Sequence, residues 1–104
     1  MAKEVRYEIV RAEDTRERHY HRTERGRVVA YTVQLEVFTG GEWRPVIRYD
    51  CAHGYAHVDR YNIHGQARKD EIALEFAEAL TAAEEDLEQR WKVYRERFLE
   101  GRFP

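Results

Sequence analysis

The chain has 104 residues, with 18 Lys and Arg against 20 Asp and Glu, a formal net charge of −2. Six Gly and two Pro exclude a collagenous or low-complexity chain, while two Trp, seven Tyr and four Phe supply the material of a packed core. That length fits one domain, residues 1–104.

The first two thirds reads as strands. Val5, Tyr7 and Ile9 alternate with charged residues, which predicts a strand over Lys3 to Arg11, and Glu13-Asp14 makes a turn. Thr15 to Thr23 (TRERHYHRT) is polar enough to predict an edge strand protected by charge, closed by Arg25-Gly26. In Val28 to Phe38, residues Val29, Tyr31, Val33, Leu35 and Val37 alternate with Ala30, Thr32, Gln34 and Glu36. Gly40-Gly41 then turns the chain into a second apolar run through Trp43, Val46, Ile47 and Tyr49, a hairpin signal. Pro45 places an edge or a bulge near the start of that fourth strand. Tyr55 to Ile63 predicts a fifth strand, His64-Gly65 a turn, and Ala67 to Leu74 either a sixth strand or the approach to a helix.

The last third predicts a helix. Leu80, Ala83, Leu87, Trp91, Tyr94 and Phe98 recur at three- and four-residue spacing, the stripe of one buried face. Thr81 and Glu84 have capping-box spacing, which predicts a boundary or kink near Thr81. Asp70 to Gln89 carries eight acids and no base, and Arg90 to Pro104 five bases and two acids, an order that suits the helix dipole. Gly101 is the expected stop. The predicted fold is therefore α+β: an antiparallel meander of five to six strands (about 3–74), covered on one face by a long C-terminal amphipathic helix (about 75–100). One helix leaves sheet surface uncovered, so that surface must be polar or buried in a homo-oligomer.

No apolar run approaches the length of a membrane span, the segment MAKEVRYEIV lacks the apolar core of a signal peptide, and the one cysteine cannot form an internal disulfide. A cytoplasmic location is expected. Charge is uneven: residues 1–69 have a net of +3 and residues 70–104 of −5, and 15 of the 18 basic residues are Arg. The front of the chain is too mildly basic for a dedicated nucleic-acid domain.

Chemistry concentrates between Arg48 and Tyr61, where two His, two Asp, two Arg and three Tyr fall within fourteen positions. Period-two geometry puts Arg48 and Asp50 on one face of their strand, and His57, Asp59 and Tyr61 on one face of theirs. Whether these faces coincide depends on register. Three readings compete. His53 or His57 can work as a general acid/base, oriented by Asp50 or Asp59, with Arg48 holding a phosphate; such a metal-independent ribonuclease needs no cofactor. His53, His57 and Asp59 can instead ligate a divalent metal, although their spacing matches no stringent signature. In the structural reading the acids pair with Arg48 or Arg60 and the tyrosines fill the sheet surface. Cys51, beside Asp50 and His53, reads as a small core residue rather than a nucleophile.

Arg48-Tyr49-Asp50, Ala52-His53-Gly54 and His57-x-Asp59, followed by Ala83-x-x-Asp86-Leu87 and Trp91, resemble the signature of small prokaryotic proteins with an RYD-x-AHG-x-x-H motif. That group is similar to the TumE-type toxin components of toxin–antitoxin pairs, although the dense run of His that follows RYD in those proteins is missing here. The resemblance implies a stand-alone cytoplasmic domain encoded beside a DNA-binding partner, and establishes no reaction. Taken with the clustering of Arg48, Asp50, His53, His57 and Asp59, it leads to the expectation of a toxin-like protein acting on RNA, with an antitoxin or DNA-binding protein as partner. The alternative is a non-catalytic module that dimerises through its uncovered face or edge, with the polar segment structural.

Overall fold

The computed structural model describes residues 1–104. Six strands, β1 (Ala2–Ala12), β2 (Thr15–Glu24), β3 (Arg27–Thr39), β4 (Glu42–Asp50), β5 (His57–Tyr61) and β6 (Ala67–Glu71), precede one helix, α1 (Phe76–Leu99). The strands form one antiparallel sheet in chain order, β1-β2-β3-β4-β5-β6. The fold is the predicted α+β meander.

Short turns enforce this order. Gly40 and Gly41 both have positive φ, 62° and 82°, the left-handed geometry that matches a two-residue hairpin to the twist of its strands. Leu35 pairs with Ile47 and Glu36 with Pro45, leaving Val46 as the extra residue of a bulge. Proline has no N–H to give to the ladder, and the bulge absorbs that loss.

α1 packs across β3 and β4. Val33, Leu35, Val37 and Ile47 meet Leu80, Ala83, Leu87, Tyr94 and Phe98 of the predicted stripe, and Trp91 packs half-buried at its margin. The helix ends as expected: Gly101 takes φ 81° while Arg102 N–H donates to the Arg97 carbonyl (2.8 Å). It runs unbroken through Thr81, whose hydroxyl donates back to the Ala77 carbonyl (3.1 Å) instead of capping a new start. The boundary or kink expected there does not exist.

β2 also departs from expectation. It is paired on both sides, by β1 and β3, and the edges are β1 and β6. Its polarity is tolerable inside the sheet because its long charged side chains find partners on neighbouring strands: Arg16 with Glu36 (2.6 Å), Arg18 with Glu8 (3.5 Å) and Glu17 with Arg11 (2.9 Å). The face of the sheet away from α1 carries no helix and is polar, as Arg6, Arg18, Gln34, Arg48 and Asp50 show.

Candidate functional site

Alternation splits the Arg48-Tyr49-Asp50 triplet between the two faces. Tyr49 points to α1, where its hydroxyl donates to Asp86; the Tyr94 hydroxyl donates to the same carboxylate oxygen (2.7 Å) and Arg90 holds the other (2.9 Å). Asp86 is thus a clamp between sheet and helix. Burial, with the bond to Asp86 second, pushes the Tyr49 hydroxyl far above its ordinary pKa. Tyr49 is a fixed hydrogen-bond donor and takes no part in the open face.

Arg48 and Asp50 lie on that open face, and register supplies their neighbours. Asp50 pairs with His57, Arg48 with Asp59, Thr32 with Asp50 and Gln34 with Arg48. The two faces that sequence alone could not align therefore coincide. His57 Nε2 is 3.2 Å from Asp50 Oδ1 and 3.6 Å from Asp59 Oδ2, and its Nδ1 is 3.3 Å from the Tyr55 carbonyl oxygen. The His53 ring stacks on it (centroids 5.8 Å apart) and Tyr55 leans over it (5.4 Å), so the β4–β5 connection folds back as a cover. His57 is left 1% exposed, whereas His53 faces solvent. Asp50 Oδ1 also accepts the Ala52 N–H (2.7 Å), while its Oδ2 has no partner.

Arg48 donates through Nε to Gln34 Oε1 (2.5 Å), Gln34 in turn donates to Glu36, and Glu36 holds Arg16, whose guanidinium lies 4.1 Å over the Trp43 ring. Arg48 makes no ion pair of its own, so both terminal nitrogens of its guanidinium are open. They border a shallow cavity of about 580 Å³ on the open face, lined among others by Arg6, Arg18, Tyr20, Gln34, Arg48 and Asp50.

Arg48, Asp50, His53, His57 and Asp59 thus gather at one end of this face, with only Arg48 and Asp50 reaching the cavity. Arg6, Arg18, Tyr20 and Gln34 complete its lining; Arg18 and Tyr20 lie in the segment whose sequence reads as a charge-protected edge strand, and all four reach this place through strand pairings more than ten residues away in sequence. No group of three or more His, Cys, Asp and Glu side chains is arranged to hold a metal ion. His53, His57 and Asp59 do not form the metal set weighed from their spacing. Cys51 is buried, its Sγ 4.0 Å from the Tyr31 carbonyl oxygen, and burial pushes its thiol up, away from nucleophilic use.

A second polar cluster lies between β1, β2 and α1, where His19 and His21, two residues apart on one strand, share a face. Glu17, 2% exposed, is held by Arg11, which also reaches Glu88 (2.9 Å). His19 Nε2 lies 2.7 Å from His21 Nδ1; His19 Nδ1, buried, is 4.0 Å from Glu84 and has no hydrogen-bond partner. Tyr7 stacks on His19 (4.3 Å) and donates to Glu84 (3.4 Å).

A family model described as a domain of unknown function, DUF7718, matches residues 1–104. The chain belongs to the DUF7718 family. No curated protein and no solved structure matches it. In this DUF7718 chain, no helix is long and apolar enough to cross a membrane.

Proposed function

We propose that the protein acts on RNA through the open face of its sheet, as a toxin-like member of a toxin–antitoxin pair. The observation that carries this reading is the half-buried Arg48 guanidinium, held at Nε by Gln34 and free at both terminal nitrogens, beside an Asp50 carboxylate fixed by His57. A guanidinium fork with two open N–H groups matches two oxygens of a phosphodiester. Arg18 and Arg6 continue the basic row along the cavity, and Tyr20 offers a ring for a base to stack on.

The roles divide by exposure. Both His57 nitrogens are engaged with acceptors, so His57 positions Asp50 rather than moving protons. The open Asp50 Oδ2 takes the proton of a ribose 2′-hydroxyl, whose oxygen attacks the adjacent phosphorus. The P–O5′ bond breaks and Arg48 neutralises the charge on the phosphoryl oxygens; the RNA strand runs on from the cavity over the β4–β5 connection, where exposed His53 gives a proton to the leaving oxygen. The products are a 2′,3′-cyclic phosphate and a 5′-hydroxyl. No metal enters the scheme.

The test is binding and cleavage of a long single-stranded RNA by purified protein without added metal. Arg48→Gln is expected to weaken binding roughly tenfold or more through the lost bidentate contact. His53→Ala is expected to abolish cleavage while sparing binding, and His57→Ala to reduce cleavage through a misplaced Asp50. Expression of the wild type is expected to slow growth, relieved by a co-encoded partner. A wild type that neither binds nor cleaves RNA overturns the proposal; cleavage untouched in His53→Ala overturns the assignment of the proton donor.

A further inference from the structure

We infer that β1 is a homodimerisation edge, along which a second copy of this chain pairs antiparallel about a two-fold axis through Tyr7. The two sheet edges are built differently. β6 is five residues long, with Arg68, Lys69, Asp70 and Glu71 in succession, a short charged edge of the kind that discourages pairing. β1 is eleven residues long, contains no proline, and pairs with β2 without irregularity from Ala2 to Val10. Its outer N–H and C=O groups face no neighbour.

The side-chain pattern of β1 is complementary to itself in one register. With Tyr7 opposite Tyr7 of the second copy, Arg6 faces Glu8 and Glu8 faces Arg6 on the open face, and Glu4 faces Val10. On the helix side, Val5 faces Ile9 on both sides of the axis, an unbroken apolar row flanking Tyr7, which is 40% exposed in one chain. Neighbouring registers fail on charge or polarity. A two-residue shift one way sets Arg6 against Arg6 and Glu4 against Glu8; the other way sets Glu8 against Glu8. Centring on Val5 sets Lys3 against Tyr7 and breaks the apolar row. The paired segment, Glu4 to Val10, ends where the bulge between Val10 and Ala12 begins, and Arg11 is already turned inward onto Glu17 and Glu88.

The two-fold axis of such a pair stands perpendicular to the sheet. Both helices lie on one side, and both open faces join into a continuous surface of twelve strands, with Arg6 and Tyr20 near its centre. The inference stands on the edge alone and does not require RNA to be the ligand of that surface.

Two measurements test it. By sedimentation equilibrium, the wild type is expected to be a dimer; Arg6→Glu and Glu8→Arg singly are expected to weaken it roughly tenfold or more, and the double exchange to restore it. In a Cys51→Ser background, Tyr7→Cys is expected to cross-link to itself under mild oxidation, because directly opposed residues have Cα atoms about 4.5–5.5 Å apart. Val5→Cys is expected not to cross-link, since its own copies lie roughly 14 Å apart, beyond disulfide reach. A monomeric wild type, a double exchange that stays monomeric, or a disulfide through Val5→Cys but not Tyr7→Cys each overturns the inference.

Discussion

Asp86 joins sheet to helix through one carboxylate. Its two carboxylate oxygens accept from Tyr49, Tyr94 and Arg90, and the two tyrosines are buried. Removing the acceptor and removing one donor are different experiments. Asp86→Ala leaves two buried hydroxyls without partners, and each unpaired buried group costs about 1–3 kcal/mol. Tyr49→Phe removes one donor and leaves Asp86 with Tyr94 and Arg90, so its cost is expected to be about 1 kcal/mol. Urea denaturation is expected to rank Asp86→Ala clearly below Tyr49→Phe. Equal losses would mean that ring packing, rather than the shared carboxylate, holds Tyr49. The same residues link two segments of the chain: Tyr49 of Arg48-Tyr49-Asp50 bonds to Asp86 of the helix, while Arg48 and Asp50 remain for the open face.

At the scale of the element, α1 begins poorly and ends well. Glu75 occupies the N-cap with extended backbone (φ −62°, ψ 155°) but makes no side-chain cap bond, although Glu78 already stands at the third helical position. Glu75→Ser completes a capping box with Glu78 and is expected to raise stability by about 1 kcal/mol, read as an upward shift of the urea midpoint with unchanged slope. No shift would show that Leu74 and Phe76 fix the helix entry regardless of the cap. The real start lies six residues before Thr81, where a capping-box spacing is visible in sequence. Ser/Thr-x-x-Glu is a local pattern, and a threonine hydroxyl can equally bond back to the turn behind it, as Thr81 does. Elements whose evidence is local, such as the β3–β4 hairpin and the α1 stripe, were legible because periodicity and turn glycines lie within a few residues. The place of β2 was not, because its charges are satisfied by Glu8, Arg11 and Glu36 on other strands. The candidate site divides in the same way. Its Arg48–Asp59 half is contiguous in sequence, while Arg6, Arg18, Tyr20 and Gln34 join it only through strand pairing.

For the whole molecule, the seam between the first hairpin and α1 is electrostatic, whereas the contact of α1 with β3 and β4 is apolar apart from the Asp86 clamp. Arg11 joins Glu17 to Glu88, Tyr7 and His19 meet Glu84, and Arg95 holds Asp14 and Thr15. Two buried groups in this seam make stability depend on pH with opposite signs. Burial pushes the His19 imidazole below its ordinary value, outweighing the pull of Glu84, with His21 acting in the same direction as burial. The unfolded chain therefore takes up this proton first, so the His19 contribution is present above about pH 6.5 and is lost as pH falls through that value. Burial pushes the Glu17 carboxyl up despite Arg11, with Glu88 and Glu84 adding to the rise. The folded chain then holds that proton more tightly, so the Glu17 contribution weakens as pH rises from about 4.5 through its raised value. Between pH 7 and pH 5.5, acidification draws on the His19 contribution, and Glu17 acts with the opposite sign. Replacing His19 by Phe keeps a ring against Tyr7 and deletes the titration, so the fall in urea midpoint over this range is expected to be smaller than in the wild type. Replacing Glu17 by Gln deletes the opposing contribution, so the fall is expected to be steeper. If His19→Phe falls as steeply as the wild type, the seam does not couple the first hairpin to the helix through this proton, and the contact of buried His19 with His21 is packing alone.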